Sequence, residues 1–221
     1  MPRAKIRLVR LKPDLPCFGP AHFRLAEPER AVSLAGMCAQ RLFVALTPPA
    51  VVRAELAALA DDFVNDTRWV PADNLHLTLR FIGDTPPEKQ AEMEAALARV
   101  RVEPFVLPVG GLGVFPPRGA AKVLWAGVGH GHTRLHQLRK QVDEALLAVD
   151  LTLDVRVFAP HFTLARLGEN TDAKRLSKFL HRHRTFEAPP FRVASVELYA
   201  SELRAGAAPA YRVVRSYGLE A

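Results

Sequence analysis

HLTLRFIGD, residues 76–84, decides how the rest of this chain is read. Leu75, Leu77, Leu79 and Phe81 alternate with His76, Thr78 and Arg80 at a strict period of two, which predicts a strand. The leucine row is an ordinary core face. The second row carries an imidazole, a hydroxyl and a guanidinium, which a solvated sheet face would explain if the stretch were unique. It is not: HFTLARLGE, residues 161–169, repeats it with His, Thr, Leu and Gly in register and an acidic residue closing both copies. Each copy follows a loop containing proline, Pro71 or Pro160, and each precedes a helical pattern. A duplicated strand–helix unit predicts two lobes related by a pseudo-twofold, with His76, Thr78, His161 and Thr163 facing one cleft. His183-Arg-Thr185 also fits His-x-Thr, but it lacks alternating apolar neighbours and reads as surface at a helix end.

Upstream of the first copy, Arg41–Leu46 is a short apolar strand stopped by Thr47-Pro48-Pro49. Thr47 is placed to cap, and a proline to open, a helix with Val52, Leu56, Leu59 and Phe63 at helical spacing. Residues 69–74 read as a loop before the first His strand. Asp84-Thr85-Pro86-Pro87 opens a second helix to about Val100. A strand pair follows, Phe105–Val114 and Lys122–Val128, with Gly110–Gly113 read as a bulge. A third helix over His132–Val149 carries a stripe of Leu135, Leu138, Val142, Leu146 and Val149. Strands are expected near Val155–Phe158, His161–Ala165, Arg192–Leu198 and Tyr211–Arg215, with a helix near Asp172–His181. Alternating strands and helices with short hairpins fit an α+β fold of antiparallel sheets better than a doubly wound one.

The 221 residues suffice for a real core, and 49% hydrophobic with 24% charged residues is ordinary for a globular chain. No run of about 18 apolar residues is present, so no membrane span is expected. Cys17 and Cys38 form neither a disulfide framework nor a metal-ligand spacing, which suits a cytoplasmic location. Residues 1–36 hold seven Lys/Arg against three Asp/Glu, leaving only +3 of the net +7 for the body. That charge permits an anionic ligand without singling one out. The same segment is broken by Pro13, Pro16, Pro20 and Pro28, and the pattern changes abruptly at Met37. Residues 1–36 are therefore expected to be a disordered extension or an upstream mistranslation, and residues 37–221 a single bilobal domain.

Two imidazoles across a cleft suit a reaction in which one proton is taken and another given near neutral pH. Phosphodiester hydrolysis is such a reaction. One histidine deprotonates the attacking water, the other protonates the leaving alkoxide, and threonine hydroxyls donate to the non-bridging oxygens. A cyclic phosphate is favoured because ring strain assists the step. Zinc would ask for a third histidine, a carboxylate or a cysteine, and no HExxH is present; no metal and no cofactor are expected. Neither a nucleophile motif nor a Gly-rich phosphate loop occurs.

At this point the residues resemble a known family. His76-Leu-Thr-Leu79 and His161-Phe-Thr-Leu164 are similar to the paired HxTx motifs of the two-histidine phosphoesterases, and in particular of the bacterial and archaeal RNA 2′,3′-cyclic phosphodiesterases, also called 2′-5′ RNA ligases. Arg41–Leu46, Gly113–Pro116, Val123–Val128 and Pro160–Arg166 extend the likeness over about residues 40–217. The resemblance implies a bilobal α+β fold and hydrolysis of an RNA 2′,3′-cyclic phosphate end, or a cyclic nucleotide, to a 2′-phosphomonoester. It implies His76 as proton donor and His161 as proton acceptor, roles that a nearly symmetric repeat does not order. It further implies Thr78 and Thr163 as phosphate holders and matches Arg166 to a phosphate-binding position. Strict alternation puts Arg166 on the opposite face from His161, so the strand must end or bulge there. Arg80 shares the face of His76 by parity. Phe115 and Trp125 are candidates to stack on a base, with core packing the competing reading; His132 and His136 read as solvated helix positions. A monomer is expected. The alternative function is an RNA-end binding module without significant turnover, and 2′-5′ joining is the reverse of the same chemistry.

Overall fold

Strand β1 (Gln40–Leu46) is buried from Leu42 to Leu46 because apolar layers cover both its faces. Leu42, Val44 and Leu46 enter the main core, whereas Phe43 and Ala45 join a small separate cluster with Tyr199. The computed structural model describes residues 39–63, 67–129, 132–153, 157–202 and 209–221, all within a unit spanning Ala35–Ala221. The expectations for residues 1–36 and the boundary at Met37 lie outside the described residues.

All strand pairings are antiparallel. One half-sheet runs in the order β3 (Leu77–Thr85), β1, β8 (Ser195–Glu202), β9 (Ala210–Gly218). The other runs β7 (Glu187–Val193), β4 (Phe105–Phe115), β5 (Val123–Val128), β6 (His161–Leu167), and β2 (Thr67–Trp69) adds to the free edge of β6. The halves join where Leu77 of β3 pairs with Phe162 of β6. Four α-helices, α1 (Ala50–Ala58), α2 (Pro87–Leu97), α3 (Thr133–Leu147) and α4 (Ala173–Arg182), and two short 3-10 turns, Leu59–Asp62 and Ala72–Asn74, complete the described elements. Helix α1 follows a strand of the first half yet lies against β7 of the second; α3 follows β5 yet lies against β3 and α2. This exchange ties the halves together. The predicted stripes of α1 and α3 supply its packing: Val52, Leu56, Leu135, Leu138, Val142 and Leu146 are all buried.

Several expectations need correction. Thr47 does not cap α1; its hydroxyl donates to Glu197 at 3.1 Å and shares a 2.5 Å hydrogen bond with Tyr199. Pro49 occupies the N-cap instead, without a side-chain bond. The region expected to be one strand over 192–198 is two, β7 and β8, broken at Ala194. Pro189 and Pro190 obscured β7, which tolerates them because it is an edge strand. Trp69, read as loop, closes the three-residue β2, too short to show a period. Of the strand expected near 155–158, residues 155–156 lie outside the described residues and 157–158 are not strand. The bulge at the glycines of β4 is present between Val109 and Leu112.

Within β3 the side-chain parity changes. Against β1, Val44 pairs with Arg80 and Ala45 with Thr78, so Leu79 is an extra residue on β3. Such a bulge shifts the phase of everything beyond it. Arg80 therefore turns into the core side, 8% exposed, and Phe81 turns to the face of His76, 69% exposed. The buried guanidinium is held by Asp143 of α3, with Nε to Oδ1 at 2.7 Å and Nη2 to Oδ2 at 2.6 Å. Arg139 Nε donates to the same carboxylate at 2.8 Å. Burial pushes the Asp143 carboxyl above its ordinary value although Arg80 pulls it down, so desolvation offsets much of the attraction. The cluster fixes α3 to β3 more than it adds net stability.

Removing one partner of such a cluster is still costly. Asp143→Asn leaves two buried guanidiniums facing a neutral amide, and a loss of roughly 3 kcal/mol is expected. Urea denaturation should show a lower midpoint with an unchanged slope; an unchanged midpoint would show that α3 is not held to β3 by this cluster.

Candidate active site

The site is built around the one pair that joins the half-sheets. Leu77 and Phe162 are both fully buried in the main core. Their chain neighbours must then face the other side, the cleft. Extending the antiparallel register by one residue each way sets His76 opposite Thr163 and Thr78 opposite His161. All four are half-buried. The two histidines are near enough that the charge of His161 bears on His76.

Each ring is aimed the same way. His76 Nδ1 lies 2.7 Å from the carbonyl oxygen of Asn74, and His161 Nδ1 lies 2.7 Å from that of Ala159. A carbonyl only accepts, so Nδ1 carries the proton in both rings and Nε2 is left to the cleft. Neutral, that nitrogen is a base; protonated, it is an acid. Burial lowers the pKa of His76, opposed by the Asn74 carbonyl and reinforced by His161. Burial likewise lowers that of His161, opposed by the Ala159 carbonyl.

The walls differ. His76 packs against Phe43 at 4.9 Å, edge-on to Tyr211 at 5.1 Å, and beside Tyr199 at 6.1 Å between ring centroids. Tyr199 itself stacks on Phe43 at 5.1 Å, and its phenol is fixed by Thr47. His161 is met edge-on by Phe115 at 5.0 Å and flanked by Trp125 at 6.3 Å. On this side opens a cavity of about 320 Å³, lined by Phe115, Trp125, His132, His136, Pro160 and His161 among others. His132 and His136 thus border the cavity: His136 is exposed, as read from sequence, whereas His132 Nε2 and Trp125 Nε1 are buried there with no partner among the described residues.

The second copy of the repeat bulges where the first does. Against β5, Leu124 pairs with Ala165 and Trp125 with Thr163, making Leu164 the extra residue. Arg166 is thereby returned to the face of His161 and Thr163, as the family likeness required against strict alternation, and is exposed. It is close enough to Tyr211 to pull down a phenol pKa that burial raises. In the first copy the matching position is Phe81, on the same face, with its ring 5.8 Å from Phe43. His183, the third His-x-Thr histidine, is half-buried at the end of α4, 2.8 Å from Asp62. Among the described residues no three His, Cys, Asp or Glu side chains converge as metal ligands would. Sequence reading missed Phe43, Tyr199 and Tyr211, which look like routine apolar strand residues and lie far from either motif. It misassigned Phe81 because the bulge leaves no mark on the alternation.

The family model for LigT-like phosphoesterases matches twice, over residues 46–125 and 128–208. An RNA 2′,3′-cyclic phosphodiesterase of Aeropyrum pernix is 34% identical over 151 residues, covering 67% of this chain and 86% of the relative. One of Geobacillus stearothermophilus is 44% identical over 100 residues, covering 44% of this chain and 32% of the relative. The crystal structure of Escherichia coli LigT complexed with 3′-AMP superposes with a TM-score of 0.68 at 27% identity, covering 82% of this chain and 98% of that one.

Gly113 tests the wall beside His161. It pairs with Trp125, and a Cβ there would lie 2.2 Å from the indole ring. Gly113→Ala should displace Trp125, changing its fluorescence and weakening any ligand held beside His161, while overall stability falls by only about 1–3 kcal/mol. An unaltered emission spectrum would mean that the ring is not confined by this strand.

Proposed function

Because this chain belongs to the LigT-like phosphoesterase family, we propose that it hydrolyses RNA 2′,3′-cyclic phosphate ends to 2′-phosphomonoesters, using its two histidines as acid and base and no metal. The observation that carries this reading is the Leu77–Phe162 pair, which brings two His-x-Thr segments face to face. The relatives named as RNA 2′,3′-cyclic phosphodiesterases support the reaction class.

His161 Nε2 takes a proton from water as its oxygen attacks phosphorus. The P–O3′ bond breaks, and His76 Nε2–H delivers a proton to O3′, leaving the phosphate on O2′. The difference between the walls supports this order. His76 is enclosed by three aromatic rings, a setting for a leaving oxygen shielded from solvent, whereas His161 borders the open cavity through which water arrives. Thr78 and Thr163 donate to the non-bridging oxygens, and Arg166 neutralises the charge gathered there. Phe115 on one side and Phe81 on the other offer ring faces to the terminal base. An alcohol in place of water would give 2′-5′ joining by the same steps, but water is in large excess. The same proposal has the enzyme act on RNA in the cytoplasm as a monomer.

The first test is incubation with an RNA oligomer ending in a 2′,3′-cyclic phosphate, with EDTA present. A 2′-phosphate product is expected. His76→Ala and His161→Ala should each lower kcat by about 10²–10⁴-fold while RNA binding survives. Turnover unaffected by both changes would overturn the mechanism. Tight binding without turnover by the native protein would make it an RNA-end binding module.

The pH profile follows from the two depressed imidazoles. The base must be neutral and the acid protonated, so kcat/KM should be bell-shaped, and it reports the free enzyme. Both pKa values lie below the ordinary 6.5. The maximum, midway between them, is therefore expected below pH 6.5; a maximum above that value would show that these histidines are not the titrating pair.

A further inference from the structure

Beside the catalytic motif lies an arrangement that β-sheets ordinarily avoid. In the β2–β6 pairing Arg68 sits directly opposite Arg166. Opposed residues share a face, and their flanking pairs fix which one it is. Trp69 with Ala165 and Thr67 with Leu167 turn toward the core side, where Ala165 and Leu167 are buried. Arg68 and Arg166 are both exposed, on the cleft face. Like charges directly opposite each other destabilise a sheet. Among the described residues no carboxylate pairs with either guanidinium. The described carboxylates thus leave the repulsion in place, and two neighbouring anions, one on each guanidinium, would convert it into charge-assisted contacts.

We propose that Arg68 forms a second phosphate subsite, which takes the phosphodiester immediately 5′ of the terminal nucleotide and makes oligomeric RNA ends better substrates than nucleoside cyclic phosphates. The proposal rests on the cyclic phosphodiesterase reading and adds to it a preference for a second phosphate.

Position supports this assignment. Along one edge of β6, Phe162 meets Leu77, and the edge is then continued by β2 at Ala165, Arg166 and Leu167. Arg166 therefore follows the histidine pair along the strand, and Arg68 stands beside it on the outer edge. Directly opposed Cα atoms are about 4.5–5.5 Å apart, so two extended arginines can hold neighbouring phosphates one nucleotide apart. With Arg166 on the reacting phosphate, Arg68 is the cation available to the next one. Arg68 belongs to neither His-x-Thr segment, and nothing in the motif would mark it.

The experiment compares three substrates: adenosine 2′,3′-cyclic phosphate, its 5′-phosphorylated form, and a dinucleotide ending in the cyclic phosphate. Arg68→Ala should lower kcat/KM about tenfold for the two that carry a second phosphate, mainly through KM, and leave the first unchanged. For the dinucleotide, the slope of log kcat/KM against log salt should become less negative by about 0.7, the loss of one single-strand phosphate contact. Arg68→Lys should retain most of the preference. Thermal stability of the ligand-free protein should not fall, since the substitution relieves a repulsion. Equal losses on all three substrates, or no loss on any, would overturn the subsite while the native activity kept the function intact. A native protein inactive on all three would instead overturn the functional reading, and the subsite with it.

Discussion

One cross-strand pair, Leu77 with Phe162, sets the rest of the site. Side chains alternate across a strand, so a pair locked into the core fixes what its neighbours do on the opposite face. His76, Thr78, His161 and Thr163 owe their meeting to that alternation. A slip of one residue would send the imidazoles into the core and the leucine and phenylalanine into the cleft. Burying the two side chains is worth about 1.5–3 kcal/mol each, and the opposite register would forfeit this while also desolvating two histidines. The exchange of α1 and α3 between the half-sheets resists the same slip, because each helix holds a strand of the half it does not follow.

The chemistry then depends on contacts made very locally. Each imidazole is oriented by the carbonyl two residues before it, so every copy of the motif carries its own aiming device. A short tether of this kind needs no partner from elsewhere in the fold, and duplication copied it whole. Burial among aromatic rings depresses both imidazoles. In the proposed mechanism a proton held weakly is given up readily, which suits the acid, and the base works through placement more than through basicity. The fixed Nδ1–H leaves that placement to Nε2 in both rings.

Much of this was legible in the sequence, for a physical reason. The His-x-Thr rows, the strand pairs and the stripes of α1 and α3 are periodic, and burial enforces periodicity directly. What escaped was non-periodic. The bulges at Leu79 and Leu164 insert one residue without disturbing the apolar–polar pattern, so Arg80 and Phe81 exchanged faces unnoticed. Only at Arg166 did the family likeness conflict with parity and so demand a bulge. β2 is three residues long and carries no period at all, and β7 is disguised by two prolines that only an edge strand can hold. Thr47 fits a cap by composition, yet a carboxylate and a phenol about 150 positions away claim its hydroxyl.

The bulges also explain how a symmetric scaffold makes an asymmetric site. In both copies the residue after the bulge turns inward and the next turns to the cleft. The first copy uses these positions for Arg80, which binds Asp143 of α3, and for Phe81. The second uses Ala165, small enough to lie opposite Trp69 of β2, and Arg166. A large charged residue on the inner side recruits a helix on one half; a small one admits an extra strand on the other. Outside, the same substitution pattern sets an apolar ring on the side of His76 and a cation on the side of His161. The backbone thus contributes two equivalent histidine positions, and four side chains next to them decide that the two ends of the cleft present different chemistry.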